Sequence, residues 1–393
     1  MILIKFFWTL LQIVIGYNLV FPVLLSVFYK LRNKKNDYLN RQHFAGEADY
    51  AIIVTAYEQT QQLPDVINSL LKVNYRNYLI YIVADKCDVS GLQFDSDKVI
   101  ILRPEQVLAS NTRSHFYAIN HFVRPHERLT IIDSDNLTDP DYLLKLNYWF
   151  DQGYQAVQGL RAAKNLDTTY ARLDAARDIY YHYYDGKMLF GAGSSATLSG
   201  SGMAFTTALY IKCLGHLDIT GAGFDKVLQN AILNLDLRIA FAEDAIVYDE
   251  KTTGTDQLVN QRARWINTWF RYFSLGFGLL FSGLTRPSWN QFMFGLVLLR
   301  PPLFIFLIIS LGFFLINLFI SIPVALLWLA GLAIFVSGFL IALFNSPTDK
   351  RIFDSLKNIP AFMFYQVLSL IKAKRANQIS IATKHSYQKE NKV

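Results

Sequence analysis

The stretch LTIIDSDN at residues 129–136 decides how the rest of the chain is interpreted. It begins as a short apolar run typical of a buried strand, and two carboxylates one residue apart follow. Side chains alternate along an extended backbone, so Asp133 and Asp135 are expected to face one pocket. Open α/β sheets bind ligands at this end of their strands. The pattern predicts a divalent cation such as Mg²⁺, which takes one or two carboxylates together with phosphate oxygens. The alternative is a strand that ends in an Asp-Asn turn.

The composition indicates membrane segments in addition to a globular part. Of the 393 residues, 52% are hydrophobic and 15% are aromatic, and the mean hydropathy is +0.21. This is apolar for a soluble domain. The net charge of +7 suits anionic lipid headgroups and nucleotide phosphates, and the apolar runs favour these partners over nucleic acid. The two cysteines, Cys87 and Cys213, have no metal-binding spacing and imply no disulfide framework.

The N-terminal segment predicts a transmembrane helix over residues 1–30. The mostly apolar run Phe6–Phe28 spans about 34 Å at helical rise, which is enough to cross a bilayer. A cleaved signal peptide is the alternative, but the run is long for one and no small-residue cleavage site follows it. The basic residues that come next are Lys30, Arg32, Lys34, Lys35 and Arg41. By the positive-inside rule, they indicate that this end of the helix is cytoplasmic.

Residues 48–265 show the pattern of an α/β domain. Strand-like runs over Tyr50–Thr55, Tyr78–Ala84 and Lys98–Leu102 precede the strand that ends at Asp133, with helical patterns between them. Strands that alternate with helices of this length predict parallel strands joined by right-handed crossovers. A domain of this size can bury a substantial core on its own.

The chain becomes more apolar beyond the α/β domain. Trp269, Phe273, Phe277 and Phe281 recur at a spacing of four, which predicts one face of a helix. Their aromatic density favours a helix in the membrane interface, and a core helix is the alternative. We expect interfacial amphipathic helices over residues 266–300.

Two long apolar runs, Leu303–Ile320 and Val324–Phe344, predict a transmembrane hairpin over residues 303–344. The next apolar run, over residues 352–375, contains both a lysine and a proline. We therefore expect another interfacial helix there rather than a fourth span. Residues 386–393 are expected to form a disordered tail.

Three further clusters fall at or near predicted strands. After the first strand, Tyr57 is suited to stack on a nucleobase and Glu58 to accept a hydrogen bond from a base or ribose. A turn with a surface aromatic explains this cluster as well. After the second strand, Asp85 lies where nucleotide-binding folds place a base or ribose contact, and a helix N-cap is an equal alternative. The third cluster, Glu243-Asp244, could supply a general base or belong to a solvated loop.

Two other motifs suit the binding of sugar or diphosphate. Gly200 and Gly202 would let the backbone approach a ligand closely, although a β-bulge explains them nearly as well. In a helix, Gln261 and Trp265 share a face, with Arg264 beside them. Gln can hold a sugar hydroxyl, Arg can hold a diphosphate, and Trp can stack on a sugar ring. The alternative is an amphipathic helix with a Trp at the membrane surface.

The order of these clusters resembles family 2 glycosyltransferases, and more narrowly the membrane-bound inverting branch with cellulose, hyaluronan, chitin and poly-N-acetylglucosamine synthases. The resemblance covers about residues 48–270 and rests on Asp85, Asp133-x-Asp135, Glu243-Asp244 and Gln261-x-x-Arg264-Trp265. It implies a GT-A domain, the Rossmann-like fold of nucleotide-diphospho-sugar transferases. Such a domain binds a nucleotide-sugar, expected here to be UDP-linked, together with Mg²⁺ or Mn²⁺.

The resemblance also implies roles for individual residues. Asp244 is expected to be the catalytic base, with Glu243 as the next candidate. The metal ion would be bound by Asp133 and Asp135. The nucleotide-sugar site would contain Thr55, Tyr57, Glu58, Asp85, Arg113 and Asp133. The acceptor and diphosphate site would contain Gly200, Gly202, Gln261, Arg264 and Trp265.

Three departures from the family pattern bear on these roles. Where the family often has Gly-Lys before the Asp-x-Asp strand, this chain has NTRSH at residues 111–115, so the lysine contact is either missing or taken over by Arg113. Ala242 stands where the family usually has threonine before Glu-Asp. About three spans are predicted, fewer than in synthases that thread a polymer through themselves. A homo-oligomer or an export partner would then complete a channel, or the acceptor is lipid-linked.

We therefore expect a multi-pass protein of the plasma membrane or cell inner membrane with a cytoplasmic catalytic domain. It would transfer hexosyl or N-acetylhexosaminyl groups to a growing glycan or a lipid-linked acceptor, in surface polysaccharide or glycolipid biosynthesis. Membrane lipids are expected partners. One rival hypothesis is a non-catalytic membrane scaffold, against which the intact carboxylate pairs argue. The other is a metal-dependent nucleotidyl or phosphoryl transferase, against which the lack of a glycine-rich phosphate loop argues.

Overall fold

The computed structural model describes residues 2–32, 47–374 and 376. The predicted cytoplasmic residues Lys34, Lys35 and Arg41, and the predicted tail over 386–393, lie outside the described residues.

A mixed sheet forms the centre of the α/β domain. Its strands in chain order are β1 (Tyr50–Tyr57), β2 (Tyr78–Asp85), β3 (Val99–Leu102), β4 (Arg128–Asp133), β5 (Leu137–Thr138), β6 (Ala156–Ala163), β7 (Met203–Thr206) and β8 (Ile239–Asp249). Their order across the sheet is β3-β2-β1-β4-β7-β6-β8-β5. The predicted parallel pairing holds for β1 with β2 and β4 and for β2 with β3, whereas β7 is antiparallel to both of its neighbours. The predicted α/β fold is confirmed.

The helices before the last strand are α1 (Ile2–Arg32), α2 (Leu63–Leu70), α3 (Asn111–Asn120), α4 (Tyr142–Asp151), α5 (Thr169–Tyr181), α6 (Leu189–Gly191), α7 (Thr207–Leu214) and α8 (Phe224–Asn234). A π-helix over His182–Met188 joins α5 to α6. The helices after β8 are α9 (Thr255–Tyr272), α10 (Leu275–Thr285), α11 (Trp289–Leu299), α12 (Leu303–Ile320), α13 (Ile322–Phe344), α14 (Lys350–Ser355) and α15 (Ile359–Ala373).

Local chemistry explains how several of these elements form. β2 is buried along its whole length, which accounts for its nearly continuous apolar sequence. The side chain of Ser110 caps α3 by accepting a hydrogen bond from the backbone N of Arg113, and Thr168 caps α5 in the same way. At the start of β1, the buried Tyr50 donates from Oη to Asn147 Oδ1 at 2.7 Å, which satisfies its polar end.

In the described part of the chain, three helices are long and apolar enough to cross a membrane, namely α1, α12 and α13. They are the helices that the sequence predicts, although α1 is longer than the predicted run and α13 begins at Ile322. The three pack together, and Gln12 in α1 accepts hydrogen bonds at 2.8 Å from Asn317 Nδ2 and Trp328 Nε1. A polar side chain paired in this way is tolerated within an apolar helix.

The aromatic face predicted within residues 266–300 is divided between two helices. Trp269 is in α9 and Phe273 is its C-cap, and both line a cavity described below. Phe277 and Phe281 belong to α10, where they are 59% and 69% exposed. The two helices are joined by Phe273 and Ser274. Trp269, Phe273 and Phe277 still form a row of ring contacts, with centroids 4.9 and 6.3 Å apart, so the predicted face continues as far as Phe277. α10 also packs against α11.

That packing is a tight antiparallel hairpin. A Cβ added to Gly276 would lie 3.0 Å from the carbonyl oxygen of Gly295, and one added to Gly283 would lie 2.5 Å from the backbone N of Phe292. These contacts leave no room for a side chain at either position of α10. The glycines of α10 therefore set its direction.

The interfacial helix predicted over residues 352–375 is divided as well. It consists of α14, a 3₁₀ turn at Leu356–Asn358, and α15. Pro360 lies in the first turn of α15, where proline is tolerated, but it could not continue the preceding helix. α15 packs along α9, and Asn267 Nδ2 donates to the carbonyl oxygen of Ala373 at 2.9 Å.

Candidate functional site

A cavity of about 640 Å³ runs from the carboxyl ends of β1 and β4 to the first residues of α12. This volume lies within the range of small-molecule sites, about 300–1,000 Å³. Its strand end is lined by Thr55, Tyr57, Asp133 and Asp135. Its membrane end is lined by Trp269, Phe273, Val297, Leu298, Leu303 and Phe304. The cavity thus connects the sheet with the membrane helices.

The strand end is built by the register between β1 and β4. Thr55 pairs with Asp133 across the two strands, so both reach the sheet edge together. The backbone N of Asp133 donates to Ser201 Oγ at 3.0 Å. Asp135 is 8% exposed. The side-chain amide of Asn136 satisfies its neighbours when its oxygen faces Ser201 Oγ, and its nitrogen then donates to Asp135 Oδ1 at 2.9 Å. The structure therefore places both predicted carboxylates in one cavity wall.

Three residues predicted for the nucleotide-sugar site lie outside the cavity wall, namely Glu58, Asp85 and Arg113. Asp85 is buried and its carboxylate accepts hydrogen bonds from the backbone N of Leu108 at 3.0 Å and of Ala109 at 2.7 Å. It anchors a loop whose next residues, Ala109 to Asn111, line the cavity. Glu58 forms an ion pair with Lys86 at 2.7 Å.

Arg113 also points away from the cavity. Its guanidinium donates two hydrogen bonds to the carboxylate of Asp218, at 2.8 and 2.6 Å, on an exposed surface. The substitution of Arg113 for a family lysine is therefore not supported by its position, because the bidentate pair holds the side chain elsewhere.

The two predicted general bases lie outside the cavity wall. The pairing of β6 with β8 shifts between Gly159, opposite Ala242, and Leu160, opposite Ile246. Glu243 and Asp244 therefore belong to a bulge within β8. Glu243 is exposed and forms an ion pair with Lys187 at 2.8 Å. A bulge of this kind turns side chains out of the regular alternation, and the sequence pattern does not indicate it.

Five other acidic residues line the cavity, and two of them, Asp178 and Asp185, are held in buried ion pairs. Asp249 and Glu250 stand at the end of β8, and Asp225 stands in the first turn of α8. The Asp225 carboxylate lies 3.3 Å from Lys226 Nζ, which also donates to the carbonyl oxygen of Leu198 at 3.3 Å. The one feature of the sequence that marks the position of Asp225 is the glycine-containing run TGAG at residues 220–223, which precedes it. This feature is weak, because acidic residues are common in the first turn of a helix, where they stabilise the helix itself.

The predicted glycines differ in their positions. Gly200 lines the cavity with a φ of +89°, and a Cβ added there would meet no atom of the described residues within 4 Å. Gly202, with a φ of +66°, lies outside the wall, and a Cβ there would be 2.8 Å from Val247 Cγ2. Gly200 therefore leaves space beside the cavity, whereas Gly202 allows the backbone just before β7 to lie close to the Val247 side chain of β8.

The predicted helical motif lines the cavity from the opposite side. Gln261 Oε1 accepts from Thr252 Oγ1 at 3.0 Å, and Arg264 is largely buried, which lowers the pKa of its guanidinium. The ring of Trp265 is 39% exposed and has the guanidinium carbons of Arg177 and Arg262 at 4.4 and 4.1 Å from its centroid. These cation–π contacts fix the orientation of the indole.

A buried network of charges connects the two sides. It contains the ion pairs Arg161–Asp249 at 2.8 Å, Lys251–Asp249 at 2.8 Å, Lys251–Asp178 at 2.5 Å, Arg177–Asp178 at 2.5 Å, Arg177–Asp174 at 3.2 Å, and Arg262–Asp174. Burial works against the charge of Arg161, but the carboxylates of Asp249 and Asp133 outweigh it and raise the pKa of the guanidinium. The network fixes β6, α5, β8 and α9 relative to each other. No motif in the sequence indicated it.

The donor atoms at the strand end suit a divalent cation bound together with a ligand. In the part of the chain that the structure describes, no group of three or more His, Cys, Asp and Glu side chains is arranged to hold a metal ion by itself. Asp133 and Asp135 are two carboxylates on one wall. Mg²⁺ is commonly bound by one or two carboxylates, with phosphate oxygens of a substrate and water completing its shell.

Comparisons with known proteins identify the family. Residues 48–268 match the family model described as "Glycosyltransferase like family 2". None of the curated proteins matches the chain. A solved structure of the mannosyltransferase PcManGT from Pyrobaculum calidifontis, in complex with GDP-Man and Mn²⁺, is 13% identical, with a TM-score of 0.54 and coverage of 92% of this chain and 98% of that chain. The structure of residues 1–349 of TarS from S. aureus is 14% identical, with a TM-score of 0.40 and coverage of 84% and 90%.

The family model spans more than half of the 393 residues, and the similarity to PcManGT shows a common fold. The predicted resemblance to family 2 glycosyltransferases is thereby confirmed, while the narrower resemblance to polymer synthases stays a prediction. The chain belongs to the glycosyltransferase-like family 2, and it is a nucleotide-sugar transferase with a GT-A catalytic domain.

Proposed function

We propose that this protein is a membrane-bound inverting glycosyltransferase that takes sugar from a nucleotide-sugar, expected to be UDP-linked, and transfers it to a hydroxyl group. The acceptor is a glycan or a lipid-linked molecule of surface polysaccharide or glycolipid biosynthesis. The observation that carries the proposal is the single cavity that joins the Asp133–Asp135 wall to Asp225 and to the Gln261–Trp265 motif.

The strand end would hold the donor. Tyr57 is placed to stack on the nucleobase, and the loop from Ala109 to Asn111 offers backbone groups beside it. Asp133 and Asp135 would hold Mg²⁺ or Mn²⁺, and the Mn²⁺ in the PcManGT complex supports this assignment. A bound divalent cation would stabilise the negative charge that develops on the departing diphosphate.

Asp225 takes the place that the sequence assigned to Asp244. A general base must lie within hydrogen-bond reach of the hydroxyl that it deprotonates, and Asp225 lines the cavity whereas Asp244 does not. In the transfer, the acceptor oxygen forms a bond to the anomeric carbon on the face opposite the diphosphate. The bond from that carbon to the diphosphate breaks, and the proton moves to the Asp225 carboxylate. Lys226, at 3.3 Å, holds the carboxylate in position.

The membrane helices give the domain its location. α1, α12 and α13 are long and apolar enough to span a membrane, and Lys30 and Arg32 end α1 with positive charge. By the positive-inside rule the catalytic domain is cytoplasmic, where nucleotide-sugars are made. The protein is then a multi-pass enzyme of the plasma membrane or cell inner membrane.

The test compares Asp225→Asn with Asp244→Asn in the purified full chain. Both variants replace a carboxylate with an amide of similar size. We expect Asp225→Asn to lower the transfer rate by about 10²–10⁴-fold, which is the usual contribution of a general base, and to leave donor binding unchanged. Asp244→Asn should stay within about threefold of the wild type, because a group outside the cavity contributes no proton transfer. The reverse result would return the role of base to Asp244.

A further inference from the structure

The membrane end of the cavity has an apolar wall made by three helices. Trp269 and Phe273 come from the end of α9, Val297 and Leu298 from the end of α11, and Leu303 and Phe304 from the start of α12. α12 is one of the helices that can cross a membrane. The apolar wall therefore lies where the catalytic domain meets the first turn of a membrane helix, so a lipid could enter the cavity from the bilayer.

A buried ion pair stands beside this wall. Arg300, between α11 and α12, donates from Nη2 to Asp185 Oδ2 in the π-helix. Both side chains are 5% exposed and both residues line the cavity. Among the described residues, Arg300 Nη1 and Asp185 Oδ1 have no hydrogen-bond partner. The pair thus leaves one buried donor and one buried acceptor unpaired.

A third open group lies on the apolar wall itself. Trp269 Nε1 is buried and has no hydrogen-bond partner within the described part of the chain. Buried polar groups are almost always paired, by protein, water or ligand. Several residues that line the cavity carry such unpaired atoms, and the three at the membrane end indicate a polar ligand group at this position.

The charge of the ion pair decides what kind of group fits. Arg300 is already neutralised by Asp185, so an added phosphate would approach a buried carboxylate without gaining an uncompensated cation. A hydroxyl is neutral and can donate to Asp185 Oδ1 while it accepts from Arg300 Nη1. An ester or amide carbonyl can accept from Trp269 Nε1. The open groups therefore match a neutral headgroup with hydroxyl and carbonyl oxygens.

We propose that the membrane end of the cavity binds the acceptor, and that the acceptor is a neutral membrane lipid with a free hydroxyl group. Its headgroup occupies the Asp185–Arg300 pair, and its chains lie along Phe273, Leu298 and Phe304. This inference rests on the proposed function. The lipid hydroxyl loses its proton to Asp225, its oxygen bonds to the anomeric carbon, and the nucleoside diphosphate leaves. The product is a glycolipid with one added sugar.

The requirement for a base supports a hydroxyl over a phosphate acceptor. A lipid phosphate is already an oxyanion at neutral pH and needs no general base to attack. Asp225 would have no role with such an acceptor, although it lines the same cavity. Prenyl phosphates are therefore the main competing class for the test.

The first experiment uses the wild-type full chain in phosphatidylcholine vesicles with a panel of radiolabelled nucleotide-sugars. Diacylglycerol, a long-chain prenyl phosphate or a soluble oligosaccharide is added in separate reactions. We expect nucleotide release and transfer of label to be at least tenfold faster with diacylglycerol than with either alternative. Faster transfer to the prenyl phosphate or the oligosaccharide, or a long polymer formed from the donor alone, would overturn the inference and leave the proposed function intact. Nucleotide binding without release in every reaction would refute the proposed function itself.

The second experiment compares Phe273→Ala with Phe281→Ala. Both replace a phenylalanine in the segment after α9, but Phe273 lines the cavity and Phe281 is 69% exposed on α10. We expect Phe273→Ala to raise the KM for diacylglycerol about tenfold, with kcat and the KM for the donor unchanged. Phe281→Ala should change none of these values more than about twofold. Equal effects of the two variants, or a change confined to kcat, would contradict a lipid site on this wall.

Discussion

The substitution Gly223→Ala tests how the start of α8 positions Asp225. Gly223 precedes α8 with a φ of +105°, a conformation that favours glycine. A Cβ at this position would lie 2.5 Å from Tyr272 Cε2 and 2.6 Å from Thr268 Cγ2, both in α9. Tyr272 can swing aside, but Thr268 is short and buried. The start of α8 must therefore move away from α9.

The expected loss of stability has two parts. The left-handed conformation costs a residue with a Cβ about 1–2 kcal/mol, and overpacking of a filled site costs about 1–3 kcal/mol. Together they reach about 2–5 kcal/mol, a large share of the usual stability of about 5–15 kcal/mol. A displacement of about 1 Å in a reacting group can lower a rate by about 10²-fold. We therefore expect about 100-fold slower transfer at a temperature where the variant is still folded.

Gly153→Ala is the matched control. Gly153 has a φ of +87°, but a Cβ there would meet no atom of the described residues within 4 Å. This control carries the conformational strain without the contact with α9. Thermal unfolding in detergent and the transfer rate are measured for both variants. Gly223→Ala should lower the Tm by more than Gly153→Ala, and it alone should slow transfer. Equal Tm values, or an unchanged rate for Gly223→Ala, would refute the argument that α9 positions Asp225.

Two other predictions concern the metal and the topology. Asp135→Ala should abolish transfer, because one of the two carboxylates expected to bind the metal ion is lost, and it should not change the Tm by more than a few degrees. Full activity of this variant, or of the wild type in excess chelator, would exclude the metal-dependent mechanism. A cysteine at Ile322, which is the first residue of α13 and is 55% exposed, should react with a membrane-impermeant reagent added to intact cells. Cys87 in the catalytic domain should not react, and its labelling would reverse the proposed orientation.

Features that depend on short stretches of sequence were predicted well. Apolar runs of sufficient length predicted the three described helices that are long and apolar enough to cross a membrane. Alternation of strands and helices predicted the parallel part of the sheet. Asp133 and Asp135 follow their strand directly, so the sequence was enough to bring them to the sheet edge. Gln261, Arg264 and Trp265 lie within one helix, and their common side follows from helical geometry alone.

Features that depend on distant contacts cannot be predicted from local sequence. Glu243-Asp244 has the composition of a catalytic pair, but a bulge against β6 takes these residues out of the cavity. Asp225 has the composition of an ordinary helix start, and only the packing of Gly223 against α9 brings it to the site. Arg113 was assigned by analogy, and its pairing with Asp218, far away in the chain, could not be read from either segment.

By itself, the sequence determined the fold class, the membrane helices and the two motifs at opposite sides of the cavity, because each is encoded by residues close together in the chain. Only the tertiary structure decided which acidic residues line the cavity and which helices form its apolar end. Asp185 and Arg300 are separated by 115 positions, and neither is unusual in its local sequence. Their pairing, and the unpaired hydrogen-bonding groups it leaves, exist only because the fold brings the π-helix beside the segment between α11 and α12.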